Sequence, residues 1–376
     1  MDLIKQAAFE LQNESISAWK KNNNSVVGYT CSQVPLELFY AGGILPVRLR
    51  GVGIQGLDIA DAYYGPFICS FPKAILQSMA EKKLKHLDGA VIADGCDSMR
   101  RLDECWRRAS NDYPHMDLPF FHYMNIPRKI SDHARDWFID EIQQLQTALN
   151  SYFNVSITLE DIQKAITIYN KSRELIAKIE NLRKFNPPKI SGSDAFCVSL
   201  AAESMVPETF QQQATALYDH FLHHPAEIAD GPRILISGSA YDDIHLIQTI
   251  EASGANVVGE NVCFGPSHRI NLVSEEQPPL EALMEHYLLS CPCPRMFGRF
   301  DYRMALLKET IRNVQAKGVV LQNIRFCDLH ASENGLLERK LEKEGIPCIR
   351  LEREYGSQTD TGRLRMRMDA FLERIS

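Results

Sequence analysis

Short apolar runs alternate with amphipathic stretches through the first and last thirds of the chain. The strand-like runs lie at 43–49, 89–93, 119–123, 233–239, 256–259, 318–322 and 346–351. Between the first two, Ala74, Ile75 and Met79 recur at helical spacing. Fully apolar strands alternating with helices are typical of parallel sheets that carry helices on both faces. The pattern therefore predicts an α/β fold.

The middle of the chain has a different pattern, because helical spacing continues without strand-like runs. Phe138, Ile142, Leu145 and Leu149 share one face of a predicted helix. We therefore expect two α/β lobes with parallel sheets and a helical linker or insertion between them. The predicted divisions are an N-terminal helix at 1–25, a first α/β lobe at 26–130, a helical region at 131–225 and a second α/β lobe at 226–376.

Length and charge narrow the class of protein. A chain of 376 residues exceeds the size of most single cores, which favours two or three domains. A net charge of −7 argues against nucleic acid as the main partner, because phosphate binding favours a basic face. The first residues show no secretory pattern, and no apolar stretch reaches membrane-spanning length. We expect a cytoplasmic protein without a membrane partner, whose thiols stay reduced.

A cysteine-aspartate pair occurs twice in the same setting. Cys96-Asp97 follows the apolar run at 89–93, and Cys327-Asp328 follows the run at 318–322. Open α/β sheets place their chemistry where strands end in loops. The repeat therefore suggests one site assembled between two related halves.

Other cysteines extend this set. Cys69 precedes a predicted helix, and the loops of the chain carry Cys31, Cys263, Cys291 and Cys293. Core packing is the simplest interpretation of Cys105, Cys197 and Cys348, because free cysteine is often buried. The C-x₂-C pairs that mark many zinc sites are absent. A nucleophilic cysteine would need a base, for which His268 or His330 would serve. The residues alone leave ligand, nucleophile and core thiol open, with iron–sulfur ligation among the alternatives.

The sequence has no phosphate-binding loop of the G-x-x-x-x-G-K-[ST] type, so we do not expect ATP hydrolysis by this chain. Ser32 and Glu37 are candidates for proton transfer. Glu37 is equally consistent with a partner of a helix dipole.

The ordered blocks around these cysteines resemble the 2-hydroxyacyl-CoA dehydratase and benzoyl-CoA reductase subunit family. They include Gly95-Cys96-Asp97-Ser98, Pro292-Cys293-Pro294-Arg295 and Arg325-Phe326-Cys327-Asp328. The other matching blocks lie at 28–32, 34–38, 41–48, 67–70 and 351–355. The resemblance therefore extends over nearly the whole chain.

This resemblance implies two Rossmann-like lobes that hold a [4Fe–4S] cluster through Cys69, Cys96 and Cys327. In family dehydratases, an electron from a separate ATP-dependent iron–sulfur activator reduces an acyl-CoA thioester to a ketyl radical anion. The electron is recycled in dehydration and consumed in benzoyl-CoA reduction. The resemblance also implies pairing with a homologous second subunit or with a second copy of the chain.

One branch of the family, the double-cubane cluster proteins, uses six cysteines to hold an [8Fe–9S] cluster and reduces small molecules. Cys31, Cys263 and Cys293 (or Cys291) fill the positions of the second set, so this alternative stays open. A third alternative is a non-catalytic electron-relay or scaffold subunit. The sequence does not identify the substrate.

Overall fold

Two four-stranded parallel sheets organise the chain in the computed structural model, which describes residues 1–266, 270–356 and 361–375. The first sheet contains β1 (Ser25–Tyr29), β2 (Ile44–Arg48), β3 (Gly89–Ala93) and β4 (Phe120–Met124). The second contains β5 (Arg233–Gly238), β6 (Asn256–Asn261), β7 (Gly318–Ile324) and β8 (Cys348–Arg353). All neighbouring strands are parallel, which confirms the predicted α/β class.

Helices connect and cover these strands. They are α1 (Asp2–Phe9), α2 (Glu14–Lys21), α3 (Leu36–Ala41), α4 (Asp58–Asp61), α5 (Ser70–Ala80), α6 (Asp97–Asp112), α7 (Asp132–Phe153), α8 (Leu159–Leu182), α9 (Gly192–Ala201), α10 (Pro207–His223), α11 (Ile244–Ala252), α12 (Pro279–Met284), α13 (Phe300–Asn313), α14 (Asp328–Lys343) and α15 (Thr361–Ile375). A π-helical turn, Glu285–Leu289, follows α12.

Both sheets have the same strand order. The first runs β2-β1-β3-β4 and the second runs β6-β5-β7-β8. In each sheet the second strand pairs with one side of the first strand, and the third strand pairs with its other side. The topological switch points therefore lie between β1 and β3 and between β5 and β7. Open parallel sheets bind ligands in the crevice beyond the carboxyl ends of strands at such a switch point. The fold thus offers two equivalent crevices.

The N-terminal segment differs from its prediction. Two helices, α1 and α2, occupy the stretch for which one helix at 1–25 is predicted. Asn13 separates them, because its Oδ1 accepts a hydrogen bond from the backbone N–H of Ile16 at 3.0 Å and so caps α2. Its Nδ2 donates to the buried carbonyl of Ser204 at 2.8 Å, which attaches the break to the end of α9.

The helical region between the lobes is confirmed as α7 to α10. α8 packs against α3 and α10, whereas α9 packs against α1 and α11. One continuous apolar cluster includes Leu45 and Ile92 of the first sheet as well as Ile236 and Val320 of the second. Because this core crosses the predicted divisions, the boundaries at 25, 130 and 225 stay predictions.

A buried ion pair attaches the end of α8 to the second sheet. Arg183 follows α8, and its Nη1 and Nη2 donate to the two carboxylate oxygens of Glu260 on β6, each at 2.7 Å. Both side chains are fully buried. A bidentate arginine–carboxylate pair fixes orientation as well as position. The helical region is therefore held against β6 in one arrangement.

His86 predicts how stability changes in mild acid. It is buried between α5 and β3, and neither ring nitrogen has a hydrogen bond to a described residue. Burial lowers the pKa of His86 to about 4, with a smaller contribution from Lys20. The unfolded chain, with a histidine pKa near ~6.5, therefore binds this proton more tightly. The contribution of neutral His86 to the free energy of unfolding is fully present above about pH 6.5. It falls by about 3 kcal/mol as the pH decreases from there to 4.

The measurement is the unfolding free energy of the protein and of a His86→Leu variant at pH 7 and pH 4.5. We expect the variant to lose less stability on acidification than the parent does. His133→Leu, which alters an exposed histidine, is the control and should retain the parent's loss. An unchanged acid loss in His86→Leu would contradict the expectation.

Candidate functional site

Cysteines follow the carboxyl ends of four strands. Cys31 comes two residues after β1, and Cys96 three residues after β3. In the second lobe, Cys263 follows β6 and Cys327 follows β7 at the same two spacings. The repeated Cys-Asp pair thus lies at equivalent places in the two sheets, as the sequence predicts.

Cys69, Cys96 and Cys327, here called the first triplet, share a local setting. They are the N-caps of α5, α6 and α14, respectively. The Sγ of Cys96 accepts a hydrogen bond from the backbone N–H of Met99 at 3.4 Å. Helix amino termini carry unpaired N–H groups and a partial positive charge, which favour thiolates. Three helices therefore begin at this triplet.

Burial raises the pKa of each of these three thiols to about 12. Negative charge on Cys96 also raises the pKa of Cys69, and negative charge on Cys69 raises that of Cys327. Backbone N–H groups of Phe71, Met99 and His330 oppose the rise. The three thiols are thus close enough to affect one another. Ligation would require each of them to lose its proton.

Cys31, Cys263 and Cys293, here called the second triplet, lie beside the first. Burial raises the pKa of Cys31 and that of Cys263, and each thiol is also affected by Cys293. The thiol of Cys291 donates to Cys293 and lowers the pKa of Cys293 to about 7. The two triplets are neighbours, because Cys31 Sγ lies 3.3 Å from where a Cβ on Gly95, directly before Cys96, would be, and because Cys31 and Cys293 both raise the pKa of Cys96. The structure therefore brings all six predicted cysteines together.

Residues next to these cysteines bind the two lobes to each other. Ser32 Oγ donates to the carbonyl of Cys263 at 3.0 Å, so it joins the loops of two second-triplet cysteines. Ser70, directly after Cys69, donates to Glu354 Oε2 at 2.8 Å. Each bond links the first lobe to the second. These two hydrogen bonds therefore hold the cysteine loops of the two lobes against each other.

An aromatic contact also joins the two lobes close to the cysteines. The ring of Phe67 packs edge-on against Phe326, with the ring centroids 5.6 Å apart. Phe67 lies two residues before Cys69, and Phe326 directly precedes Cys327. The backbone of Phe326 is in the left-handed region (φ +64°), which is unusual for a bulky residue. The contact between the rings lies directly beside Cys327, although Phe67 is itself 76% exposed.

The remaining cysteines and the candidate bases occupy other places. Cys105, Cys197 and Cys348 are buried in α6, α9 and β8, which confirms their assignment to the core. His330 lines a cavity of about 30 Å³ together with Cys263 and Cys293. His268 lies outside the described residues.

The two proton-transfer candidates have defined partners. Ser32 Oγ accepts from Arg48 Nη1 at 3.1 Å in addition to its bond to the Cys263 carbonyl. Glu37 is fully buried, with Arg173 Nη2 2.6 Å from Oε1 and Tyr287 Oη 2.8 Å from Oε2. Both carboxylate oxygens of Glu37 therefore take part in bonds to the helical region and the π turn. A role for either residue in proton transfer stays a prediction.

The donor set fits an iron–sulfur cluster better than a single metal ion. Within the described ranges, no three His, Cys, Asp or Glu side chains are arranged to hold one ion. In a cubane each thiolate binds a different iron, so its ligands need not surround one point. Five of the six thiols belong to partly accessible residues, as expected where side chains line a cavity. Three thiols at helix N-termini match an anionic group of this kind.

The sequence did not single out the arginines around the second triplet. Arg48, at the end of β2, and Arg295, two residues after Cys293, are both buried. The positive charge of Arg48 lowers the pKa of Cys31 and of Cys263 against the effect of burial. The available sequence signal was that Arg48, a charged residue, directly follows the apolar run Ile44-Leu45-Pro46-Val47. A charged residue is rarely buried without a partner, so a buried partner could have been expected.

In the described part of the chain, the helices are too short or too polar to cross a bilayer.

Comparison with known proteins gives matches over nearly the whole chain. A family model described as 2-hydroxyglutaryl-CoA dehydratase, D-component, matches residues 31–375. A benzoyl-CoA reductase subunit of Thauera aromatica is 25% identical over 340 residues, which cover 88% of this chain and 86% of that protein. The putative dehydratase subunit YjiM of Escherichia coli (strain K12) is 26% identical over 371 residues, with 95% and 93% covered. The (R)-2-hydroxyglutaryl-CoA dehydratase beta subunit of Acidaminococcus fermentans is 22% identical over 368 residues, with 96% and 95% covered.

Proposed function

The chain belongs to the 2-hydroxyglutaryl-CoA dehydratase D-component family and is therefore part of an enzyme, and we propose that it is an iron–sulfur subunit of an acyl-CoA dehydratase or reductase. Family membership confirms the resemblance drawn from the cysteine blocks. The single observation that carries the proposal is the convergence of cysteines from both lobes on one site. In this proposal Cys69, Cys96 and Cys327 hold a [4Fe–4S] cluster.

When bound, such a cluster supplies single electrons for radical dehydration or reduction of an acyl-CoA thioester. The chain's own residues provide the setting. The three helix N-termini stabilise negative charge at the first triplet. The cross-lobe bonds of Ser32 and Ser70 keep the cysteine loops together. Cys69, Cys96 and Cys327 would supply three thiolate ligands to such a cluster.

Two partners follow from this function. As the family resemblance implies, we propose that the electrons come from a separate ATP-dependent iron–sulfur activator. The missing phosphate-binding loop of this chain agrees with that arrangement. The relatives are themselves named as subunits, which supports assembly with a homologous second subunit or with a second copy. The substrate class is an acyl-CoA, and the site of action is the cytoplasm.

A double-cubane reductase of small molecules is the second candidate. It is favoured by the second triplet, because Cys31, Cys263 and Cys293 lie against the first triplet instead of in separate parts of the core. Six thiols in one site match two joined cubanes, whereas one cubane would leave three of these thiols with no iron to bind. The cavity beside Cys263 and Cys293, of about 30 Å³, suits an occupant of a few atoms.

The iron content of the anaerobically purified chain tests the proposal. We expect about four irons per chain for one cubane and about eight for two, with matching sulfide. Electron paramagnetic resonance of the reduced protein would show the corresponding cluster signal. Absence of iron and sulfide after anaerobic reconstitution would overturn both candidates.

Substrate binding separates an acyl-CoA enzyme from an electron relay. Titration of the iron-loaded chain with an acyl-CoA should perturb the resonance signal if the chain binds substrate near its cluster. An unchanged signal, together with a change when the partner subunit is added, would assign the chain to electron relay.

A further inference from the structure

Two buried guanidinium groups flank the second triplet. Arg48 is 4% exposed and affects the pKa of Cys31 and of Cys263. Arg295 is also 4% exposed and affects the pKa of Cys31 and of Cys293. Together the two arginines are therefore close to every thiol of this triplet.

Arg48 is held at the point where both lobes meet. Its Nη1 donates to Ser32 Oγ at 3.1 Å and lies 3.4 Å from Glu203 Oε1. Its guanidinium carbon lies 4.9 Å from the ring centroid of Phe264, directly after Cys263, and 5.4 Å from that of Tyr29. The group is thus packed between aromatic rings next to two thiols, with a long contact to its carboxylate partner.

Arg295 has a matching environment. Its Nη1 donates to the carbonyl of Pro127 at 2.9 Å, and its Nη2 donates to the carbonyl of Ile126. The nearest carboxylate oxygen, on Asp94, is 3.6 Å from Nη2. These bonds join the Cys293 loop to the first lobe. The two terminal nitrogens of Arg295 therefore donate mainly to neutral backbone carbonyls.

Each arginine also retains an unused donor. The buried Nε of Arg48 and that of Arg295 donate to no atom of the described residues. A buried polar group without a hydrogen bond is costly, and a buried charge far more so unless it is paired. Two buried guanidinium groups whose charge acts on all three thiols of the second triplet favour an anionic group at this site. The thiols supply ligands, and the arginines supply positive charge.

We propose that Arg48 and Arg295 are positioning residues for an anionic iron–sulfur cluster held by Cys31, Cys263 and Cys293, whose charge they balance. This inference rests on the proposed function, and it assigns the second triplet to a cluster of its own. The arginines favour the more negatively charged, reduced state of that cluster, since the attraction between unlike charges is strong at a buried site. Removal of either charge therefore makes the midpoint potential more negative.

The test compares anaerobically reconstituted parent protein with Arg48→Gln, Arg48→Lys and Arg295→Gln. We expect each glutamine variant to show a more negative midpoint potential in a redox titration followed by electron paramagnetic resonance. We also expect iron per chain to fall by up to twofold, as the second cluster is lost while the first remains. Arg48→Lys, which keeps the charge, should restore part of the potential.

Arg100→Gln is the matched control, because Arg100 lies four residues after Cys96 but is exposed. Water screens the charge of Arg100, so the midpoint potential and iron content of the Arg100→Gln variant should equal those of the parent protein. Thermal unfolding of the metal-free variants separates misfolding from a local effect. If Arg48→Gln does not fold, Arg295→Gln carries the test.

The outcomes distinguish the inference from the function on which it rests. A parent protein without iron would overturn the proposed function. A parent with about four irons per chain would overturn only the inference, and so would a parent with about eight irons whose potential and iron content are unchanged in folded Arg48→Gln and Arg295→Gln.

Discussion

Replacement of Cys96 by serine should remove the iron held by the first triplet and abolish turnover. Cys96 caps α6 and lies close to Cys327, Cys293 and Cys31. It therefore stands at the meeting point of the two triplets, so its loss would affect a cluster held by either triplet. A hydroxyl replaces the thiolate poorly as an iron ligand. Iron per chain, sulfide and the resonance signal of anaerobically reconstituted protein are the measurements.

Cys105→Ser is the control for this experiment. Cys105 lies on the same helix, is buried, and donates its thiol hydrogen to the carbonyl of Tyr63 at 3.4 Å. Serine can make that bond too, so the variant should keep the parent's iron content. Equivalent serine variants of Cys69 and Cys327 should behave as Cys96→Ser does. Retention of iron by all three would reject the assignment of the first triplet.

Replacement of Arg183 by methionine should cost about 3–5 kcal/mol of stability at pH 7, because it leaves Glu260 buried without its partner. Glu180 also contacts Arg183, and burial already raises the pKa of Glu180 to about 7. The variant therefore places two carboxyl groups together in the protein interior. Urea unfolding at pH 7 measures the loss.

Two further variants test the cause of this loss. Arg183→Met combined with Glu260→Leu removes both charges and should recover much of the stability, since apolar replacements of a buried pair are often neutral. Arg107→Met alters an arginine that is 55% exposed and paired with Asp103, and should change stability by less than about 1 kcal/mol. If Arg183→Met costs no more than Arg107→Met, the buried pair does not anchor α8.

Local pattern was sufficient for the strands that are apolar and bounded by polar turns. β3, β5 and β7 follow directly from their runs of buried residues. The region of α7 to α10 follows from helical spacing. β1 is harder to identify, because Ser25-Val26-Val27-Gly28-Tyr29 is short and interrupted by glycine. That glycine is needed: a Cβ on it would lie 2.5 Å from Leu49 Cδ2.

Local pattern failed where the deciding partner is distant in sequence. Glu37 resembles any acidic residue in the first turn of a helix, yet it is buried against Arg173, and 136 positions separate the two. The break between α1 and α2 depends on Asn13, whose amide contacts Ser204. The cysteines were identified as a set through family blocks and a repeat. Their convergence needed the three-dimensional arrangement of both lobes.

The distribution of the cysteines along the chain has a consequence for biosynthesis. Cys31 follows β1 in the first lobe, whereas Cys327 follows β7 in the second lobe, 296 positions later in the sequence. Under the proposed assignment, the first lobe supplies Cys69 and Cys96 but lacks Cys327, so the ligand set is complete only once β7 and the loop after it exist. We therefore expect metal insertion to follow synthesis of the second lobe. Truncated or stalled chains would present thiols without metal to any oxidant they meet.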